Sequence, residues 1–320
     1  MTSLFDVTDN DDILALQPRL TDEDPGVRRI ALIELADLEE PDGLLWLVNR
    51  LVEDPTEEVR AEAARLLEAW EDTPVVAALC QALTDPAPTV QAAAAQSLSL
   101  LKSEAAGRVI LPWTGHADVS VRIAAFRALR ELRFAEAAPA ALLALADRDA
   151  NVRREAVGVL GWLKQLDALP ALARLASDDP DTDVRRAATG ALGLASDTQV
   201  LPALRQALQD QAWQVREEAA TTLGKVGHGE AGPALIAALS DDYWQVRLRA
   251  TRSLGRLRFA PALDALIETL GHRISNLRKE AALALGELNE KGAIAALQAA
   301  QDDGDPEVRK AVRIALGQLQ

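Results

Sequence analysis

The chain has 320 residues, of which 49% are hydrophobic and 3% aromatic, and its formal net charge is −15. This net negative charge argues against sequence-independent binding to nucleic acid and against binding to an anionic membrane, because both need clustered lysine and arginine. The negative net charge is more compatible with a basic partner protein. Cys80 is the single cysteine, which excludes an internal disulfide and a thiolate metal cluster.

The first residues carry no targeting signal that we recognise. Residues 1–12 have neither a basic region nor an apolar stretch, so we predict no signal peptide and a cytoplasmic location. No apolar run reaches the length needed to cross a bilayer. We expect residues 1–20 to form an N-terminal cap. Cys80 follows Ala77, Ala78 and Leu79, which predicts a small buried side chain in a first helix.

A Val-Arg pair, or a near equivalent, recurs ten times at a spacing of 31 or 32 residues. A fixed period in this range indicates stacked supersecondary units. We therefore predict one all-α domain over residues 1–320, an α-solenoid of about ten two-helix repeats. The second helices are expected to start near residues 27, 59, 90, 121, 152, 184, 215, 246, 277 and 308.

Each repeat can be numbered from its valine (or Leu277) as position zero. Position +4 is alanine in nine repeats and +8 is leucine in all ten, so the second helix buries one stripe. Position −5 is aspartate in eight repeats. We expect it to cap the second helix and to face the arginine at +1, giving a ladder along the turns. Glycine at +9 in the last six repeats is expected to end the helix.

The pattern of turn Asp, Val-Arg, Ala and Leu-Gly resembles HEAT repeats, specifically the short bacterial type named after phycobilisome lyases. The match covers nearly the whole chain and is specific for fold. In that family the second helices line the concave face of the solenoid, and the resemblance implies the same arrangement here. Function is less constrained, because this repeat serves many unrelated proteins.

The eighth repeat has the most concentrated charge in the chain. It carries five arginines within twelve residues and no acidic residue between them: Arg247, Arg249, Arg252, Arg256 and Arg258. Arg249, Arg252 and Arg256 share one helical face opposite the buried stripe. Like charges this close favour a compensating anion, namely a partner carboxylate, a phosphate or a cofactor propionate. The alternative is that Glu218, Glu280 and Glu287 neutralise the patch within the stack.

Aromatic residues give further candidates for partner binding. In the fourth and fifth repeats, Arg127 and Arg130 accompany Trp162, a mixture typical of interface anchors; for Phe126 we favour packing. In the seventh and eighth repeats, Trp213 and Trp244 both occupy position −2, and Tyr243 precedes Trp244. They are expected to lie side by side along the turns, either as a binding surface or as cover for the start of the second helix.

No motif indicates catalysis or a metal site. His116 and His272 are the two departures from aspartate at −5, and we interpret them as turn hydrogen-bonders. HEAT-like iron hydroxylases carry His-Glu pairs, whereas the histidines here are followed by Ala117, Gly229 and Arg273. We find no phosphate loop, nucleophile elbow or dinucleotide fingerprint, so we predict neither a metal nor a cofactor.

The leading hypothesis is a non-catalytic scaffold that binds an unidentified partner protein on its concave face, as an assembly, maturation or regulatory factor. The predicted binding residues are Arg249, Arg252, Arg256, Arg127, Arg130, Trp162, Trp213, Tyr243 and Trp244. The alternative is a bilin lyase or isomerase subunit similar to the E/F-type phycobilin lyases, in which the arginines would bind tetrapyrrole propionates. A third possibility is DNA binding in a HEAT-like groove, as in alkylpurine glycosylases. Those grooves are basic overall whereas this chain is acidic, which argues against DNA binding.

Overall fold

A computed structural model describes residues 8–194 and 198–319 as ten pairs of α-helices, without a β-strand in those ranges. The first helices of the pairs are α1 (Asp11–Leu20), α3 (Leu44–Glu53), α5 (Thr73–Ala82), α7 (Glu104–Ile110), α9 (Ala138–Ala144), α11 (Leu169–Asp178), α13 (Leu201–Ala207), α15 (Gly232–Ala238), α17 (Leu263–Leu270) and α19 (Ile294–Ala299). The second helices are α2 (Pro25–Asp37), α4 (Glu57–Leu66), α6 (Pro88–Leu100), α8 (Val119–Leu132), α10 (Ala150–Trp162), α12 (Thr182–Ala191), α14 (Trp213–Val226), α16 (Trp244–Arg256), α18 (Ser275–Leu288) and α20 (Pro306–Gln318). The predicted all-α solenoid is confirmed.

The helix pairs fall into two compact units, divided between Leu163 and Lys164. In unit 1 the second helices α2, α4, α6, α8 and α10 contact one another in chain order, and in unit 2 the same holds for α12, α14, α16, α18 and α20. Within each unit they form one layer, which we call the second-helix layer. The predicted cap, residues 1–20, contains α1, which packs on α2; residues 1–7 lie outside the described part.

The buried stripe of the second helices is the one that the repeat predicts. Alanine at +4 is fully buried in every repeat that has it, as is Val312 in the tenth, and leucine at +8 is at most 1% exposed in the first nine repeats. The small +4 side chain lets the neighbouring second helix approach closely. Each repeat therefore shelters its apolar stripe against the next repeat of the same unit.

The expectation that glycine at +9 ends the second helix is wrong for the last repeats. Gly224, Gly255 and Gly286 lie inside α14, α16 and α18, which end two residues, one residue and two residues later, and none of them has a positive φ. A Cβ on Gly255 would lie 2.7 Å from the Cα of Ala284 on the next second helix. These glycines are required by the close approach of two helices, not by a left-handed helix end.

Burial of Cys80 is confirmed, because its side chain is 0% exposed on α5. Burial raises the pKa of the Cys80 thiol to about 12, so the thiol stays protonated at neutral and mildly alkaline pH. We expect no reaction of the native protein with a thiol reagent at pH 8 and one equivalent after unfolding in guanidinium. Reaction of the native protein at the unfolded rate would contradict this placement.

Across residues 8–194 and 198–319, the structure has no helix with the length and apolar character that a membrane span requires.

Candidate functional site

The predicted ladder of arginine and aspartate exists, and it runs between successive repeats. The arginine at +1 uses Nε and Nη2 to bind both carboxylate oxygens of the aspartate at −5 in the following repeat, at 2.6–3.1 Å. We call positions −5 to +1 of successive repeats the turn ridge. Its bidentate pairs include Arg28–Asp54, Arg60–Asp85, Arg122–Asp147, Arg185–Asp210, Arg216–Asp241 and Arg278–Asp303.

The same arginine also closes its own turn. Its Nη1 donates to the backbone carbonyl at −5 of its own repeat at 2.6–2.9 Å in all nine repeats that have arginine at +1. Gln91, which replaces arginine in the third repeat, makes this bond through Nε2 at 2.7 Å. One guanidinium thus fixes a turn and joins it to the next repeat.

Aspartate at −5 does not cap the second helix as we expected. Its Oδ1 accepts the backbone N–H at −3, as Asp54 does from Thr56 at 3.0 Å. The helix cap is the residue at −3, such as Asp24, whose Oδ1 accepts the N–H of Gly26 at 2.7 Å. The sequence signal was present, because aspartate also recurs at −3 in five repeats. The −5 side chain holds the turn, and the −3 side chain begins the helix.

The ladder lowers the pKa of the carboxyl groups of Asp210 and Asp303. Burial alone would raise the pKa of Asp210, but the hydrogen bonds from Arg185 and from the Ala212 N–H outweigh it, so the pKa lies below its usual value. The hydrogen bond from Arg278 is the main cause of the lowered pKa of Asp303. These carboxylates stay charged at neutral pH and act as structural partners of the arginines.

Both histidines at −5 act as turn hydrogen-bonders, which confirms their interpretation. Nδ1 of His116 accepts the N–H of Asp118 at 3.1 Å, and Nδ1 of His272 accepts the N–H of Ile274 at 3.0 Å. These are the bonds that aspartate accepts elsewhere. Within the described ranges, no cluster of three or more His, Cys, Asp or Glu side chains has the arrangement of a metal site.

The arginines of α16 are partly neutralised by neighbouring second helices. Nε of Arg249 donates to Glu217 on α14 at 2.9 Å, and Arg252 binds Glu280 on α18 through Nε at 2.7 Å and Nη2 at 2.9 Å. Glu280 is one of the three acids that we expected to compensate the patch; the partner of Arg249 is Glu217 and not Glu218. The three arginines therefore do not form a row of free charges.

The end of α16 keeps more of its positive charge. Arg256 and Arg258 are exposed, and neither forms an ion pair with a carboxylate of the described residues. Partial burial, reinforced by the charge of Glu280, raises the pKa of the nearby Glu287, while Arg256, Arg252 and Arg258 oppose that rise. This end of α16 therefore presents the accessible positive charge of the patch.

The patch of the fourth repeat is largely an internal network. Arg127 and Arg130 both bind Glu155 on α10, at 3.3 and 2.6 Å. Phe126 is 1% exposed, so its packing role is confirmed. Trp162 is 54% exposed, and the guanidinium of Arg133 lies 4.6 Å from its ring centroid. The exposed part of this patch thus includes the Arg133–Trp162 pair and the side chain of Arg127, which is 47% exposed.

The aromatic group on the turn ridge of unit 2 differs in its pairing from our expectation. Trp213 stacks on Tyr243, with ring centroids 5.5 Å apart, rather than on Trp244. The reason is that Tyr243, at −3, lies on the side of its turn that faces the preceding repeat, where Arg216 also approaches its ring. Tyr243 and Trp244 remain 45% and 36% exposed, so this group supplies accessible aromatic surface.

Sequence reasoning named Glu280 as a possible partner but missed Glu155, and it missed the spacing that the two carboxylates share. Glu155 and Glu280 both occupy position +3, and each binds the arginine at +6 of the preceding repeat, 28 residues earlier. The signal was an Arg at +6 followed by a Glu at +3 of the next repeat, and it is visible only once the repeats are aligned and stacked.

Helix pairs stacked within each unit, with Arg–Asp pairs between successive turns, define an α-solenoid built from helical repeats. A family model described as HEAT repeats matches residues 44–114, 107–193, 175–244 and 232–317. The chain belongs to the HEAT-repeat family.

Solved structures with a similar fold share little sequence with this chain. YibA of Escherichia coli aligns with a TM-score of 0.61 and 20% identity, over 83% of this chain and 98% of YibA. Yeast importin-β (Kap95p) aligns with a TM-score of 0.68 and 15% identity, over 96% of this chain and 50% of importin-β. An engineered protein aligns with a TM-score of 0.53 and 22% identity, over 97% of this chain and 99% of that protein. No curated protein matches the chain.

Proposed function

We propose that this protein is a non-catalytic scaffold that binds an acidic partner protein on the second-helix layer of unit 2. The observation that carries the proposal is the charge of the α16 segment. Five arginines lie within twelve residues of a chain whose net charge is −15, and only Arg249 and Arg252 of the five are in ion pairs with described carboxylates. Complementary charge on a partner would compensate Arg256 and Arg258 and steer the partner's approach.

The fold supports a binding role of this kind. Stacked helix pairs present an extended layer of side chains, and importin-β, which shares this architecture, has been solved in complexes with RanGDP and with Nup1. The chain spans about half the length of importin-β, and the likeness concerns the fold alone. The finer assignments, namely the short bacterial repeat type and a cytoplasmic location, are also proposals and are supported by the residue pattern. The bilin-lyase alternative stays a prediction, because no observation on the described residues favours it.

Charge reversal at the end of α16 tests the binding surface. We expect Arg256→Glu combined with Arg258→Glu to weaken capture of the partner from the source organism at least about tenfold, because a like charge then meets the acidic partner. Both side chains are exposed, so folding is expected to persist. Capture by wild type and variant is compared by mass spectrometry at low and high salt, since screening also weakens such contacts.

The control is Arg174→Glu, which replaces an exposed arginine on α11, a first helix of the same unit. It changes the net charge in the same direction but lies away from α16, so we expect the partner to be retained. Equal retention by wild type and the α16 double variant would contradict the proposed surface. If Arg174→Glu lost as much of the captured partner as the α16 double variant, the loss would be due to the overall charge of the protein and not to the α16 surface.

A further inference from the structure

One position on the turn ridge of unit 2 keeps its arginine without the facing carboxylate. Arg247 is the +1 arginine of the eighth repeat, and the −5 residue of the next repeat is His272. Nη1 of Arg247 donates to the carbonyl of Asp241 at 2.6 Å, as in the other repeats. Its Nε is buried and has no hydrogen-bond partner among the described residues. The guanidinium edge that binds a carboxylate in six other repeats is unpaired here.

His272 cannot replace the missing carboxylate. A neutral imidazole has one acceptor nitrogen, and Nδ1 of His272 already accepts the N–H of Ile274. The other ring atom bonded to Cγ is a carbon, where aspartate would place its second oxygen. The ring therefore preserves the turn but offers the Nε–H of Arg247 no acceptor, and an unmade hydrogen bond of a buried charged group is costly.

The charges around His272 favour an anion. The pKa of His272 is lowered, first by burial and then by the charges of Arg247, Arg273 and Arg278. Arg278 is paired with Asp303, whereas Arg273 is exposed and forms no ion pair with a described residue. Asp241 is engaged by Arg216, which leaves two arginines beside this joint without a carboxylate.

The other histidine of the ridge provides an internal comparison. His116 also replaces aspartate at −5, but the residue that faces it from the preceding repeat is the neutral Gln91. There the loss of the carboxylate is matched by the loss of the cation. At His272 the cation is retained, and this combination occurs at no other described joint of the ladder.

We propose that Arg247 binds a carboxylate supplied by another molecule, the aspartate or glutamate side chain of an acidic peptide segment. The carboxylate would take the bidentate position that aspartate occupies on six other arginines. The imidazole of His272 would turn aside, and the incoming carboxylate would accept the Ile274 N–H in its place, as Asp54 accepts the N–H of Thr56. A cavity of about 600 Å³ lined by His272, Arg273 and Glu268 opens beside the ring and gives it room to move. Tyr243 and Trp244, exposed in the same turn, add aromatic contact area for a peptide. This site is on the turn ridge and is independent of the proposed α16 surface.

The probe is a blocked glutamate-rich peptide, titrated into protein with ¹⁵N-labelled arginine. We expect the Nε–H resonance of Arg247 to shift saturably, because a new charge-assisted hydrogen bond forms there. Acetate and inorganic phosphate are titrated at equal anion concentration. An unchanged Arg247 signal with the peptide overturns the proposal. A shift with acetate equal to that with the peptide, or a larger shift with phosphate, overturns the assignment to an acidic peptide.

Variants separate this site from other charged surfaces. His272→Asp supplies the missing carboxylate from within the chain, so the protein should stay folded while peptide affinity falls about tenfold. Arg247→Gln places at +1 the glutamine that the third repeat has there, and it should lower the affinity for the peptide by a similar factor. His116→Asp, the same substitution opposite Gln91, should leave affinity unchanged. The α16 double variant should retain the Arg247 shift, so failure of either proposal is distinguishable from failure of the other. Wild-type affinity in His272→Asp would overturn the inference.

Discussion

Replacing Asp54 with alanine is expected to lower the free energy of unfolding by about 3 kcal/mol, because a buried arginine would lose its carboxylate. The side chains of Arg28 and Asp54 are 7% and 0% exposed, and Nε and Nη2 of Arg28 each lie 2.8 Å from a carboxylate oxygen. The N–H of Thr56 would lose its acceptor as well. Urea unfolding followed by circular dichroism measures the change.

The matched control is Glu136→Ala, which removes an arginine–carboxylate ion pair from the surface. Arg108 and Glu136 lie 3.1 Å apart, with side chains 60% and 54% exposed, so we expect a loss below about 0.5 kcal/mol. If both variants lost the same stability, burial would not decide the strength of the ladder. Repeat proteins need not unfold in one step. Unfolding of only part of unit 1 in the Asp54 variant would show that the ladder stabilises the repeats around it locally.

Gly255→Ala is expected to destabilise unit 2 by about 2 kcal/mol, because the added methyl group forces two second helices apart. Its Cβ would lie 2.7 Å from the Cα and 2.9 Å from the Cβ of Ala284. A backbone atom cannot move aside as a flexible side chain can. Thermal unfolding of the variant, compared with wild type under the same conditions, gives the change.

Gly317→Ala is the corresponding control, since Gly317 occupies the same +9 position in α20 and a Cβ there meets nothing within 4 Å. Alanine favours the helix over glycine, so we expect stabilisation by about 0.5 kcal/mol. The two substitutions are therefore expected to have opposite signs. Destabilisation of similar size in both would show that glycine acts through local helix geometry at +9.

The fold was predictable because its determinants recur. A period of 31 or 32 residues, leucine at +8 and alanine at +4 require that each helix pair bury its stripe against the next, and the structure has this arrangement in each unit. The sequence did not predict the structural role of some individual positions correctly. Glycine at +9 carries the same signal whether it ends a helix or admits a neighbouring helix, and only the distance to Ala284 separates the two.

The candidate site was less predictable, because charge pairing depends on which side chains meet across repeats. Five arginines without an intervening acid were visible in the sequence, but Glu217 and Glu280 reach two of them from adjacent helices. Trp213 stacks on Tyr243 for a similar reason. Periodicity predicts which face of a helix a residue occupies, whereas the partner of a long side chain depends on the distance and offset between helices.

Because each ridge arginine reaches forward to the aspartate of the following repeat and also secures its own turn, the contacts have a direction along the chain. A 31-residue segment inserted whole would bring one aspartate for the arginine before it and one arginine for the aspartate after it. Such an insertion preserves the Arg–Asp pair on both sides, whereas a segment that is not a whole number of repeats leaves an arginine or an aspartate without its partner. A chain of this type can therefore lengthen by duplication of whole repeats, because the contacts between neighbouring repeats need no further substitutions.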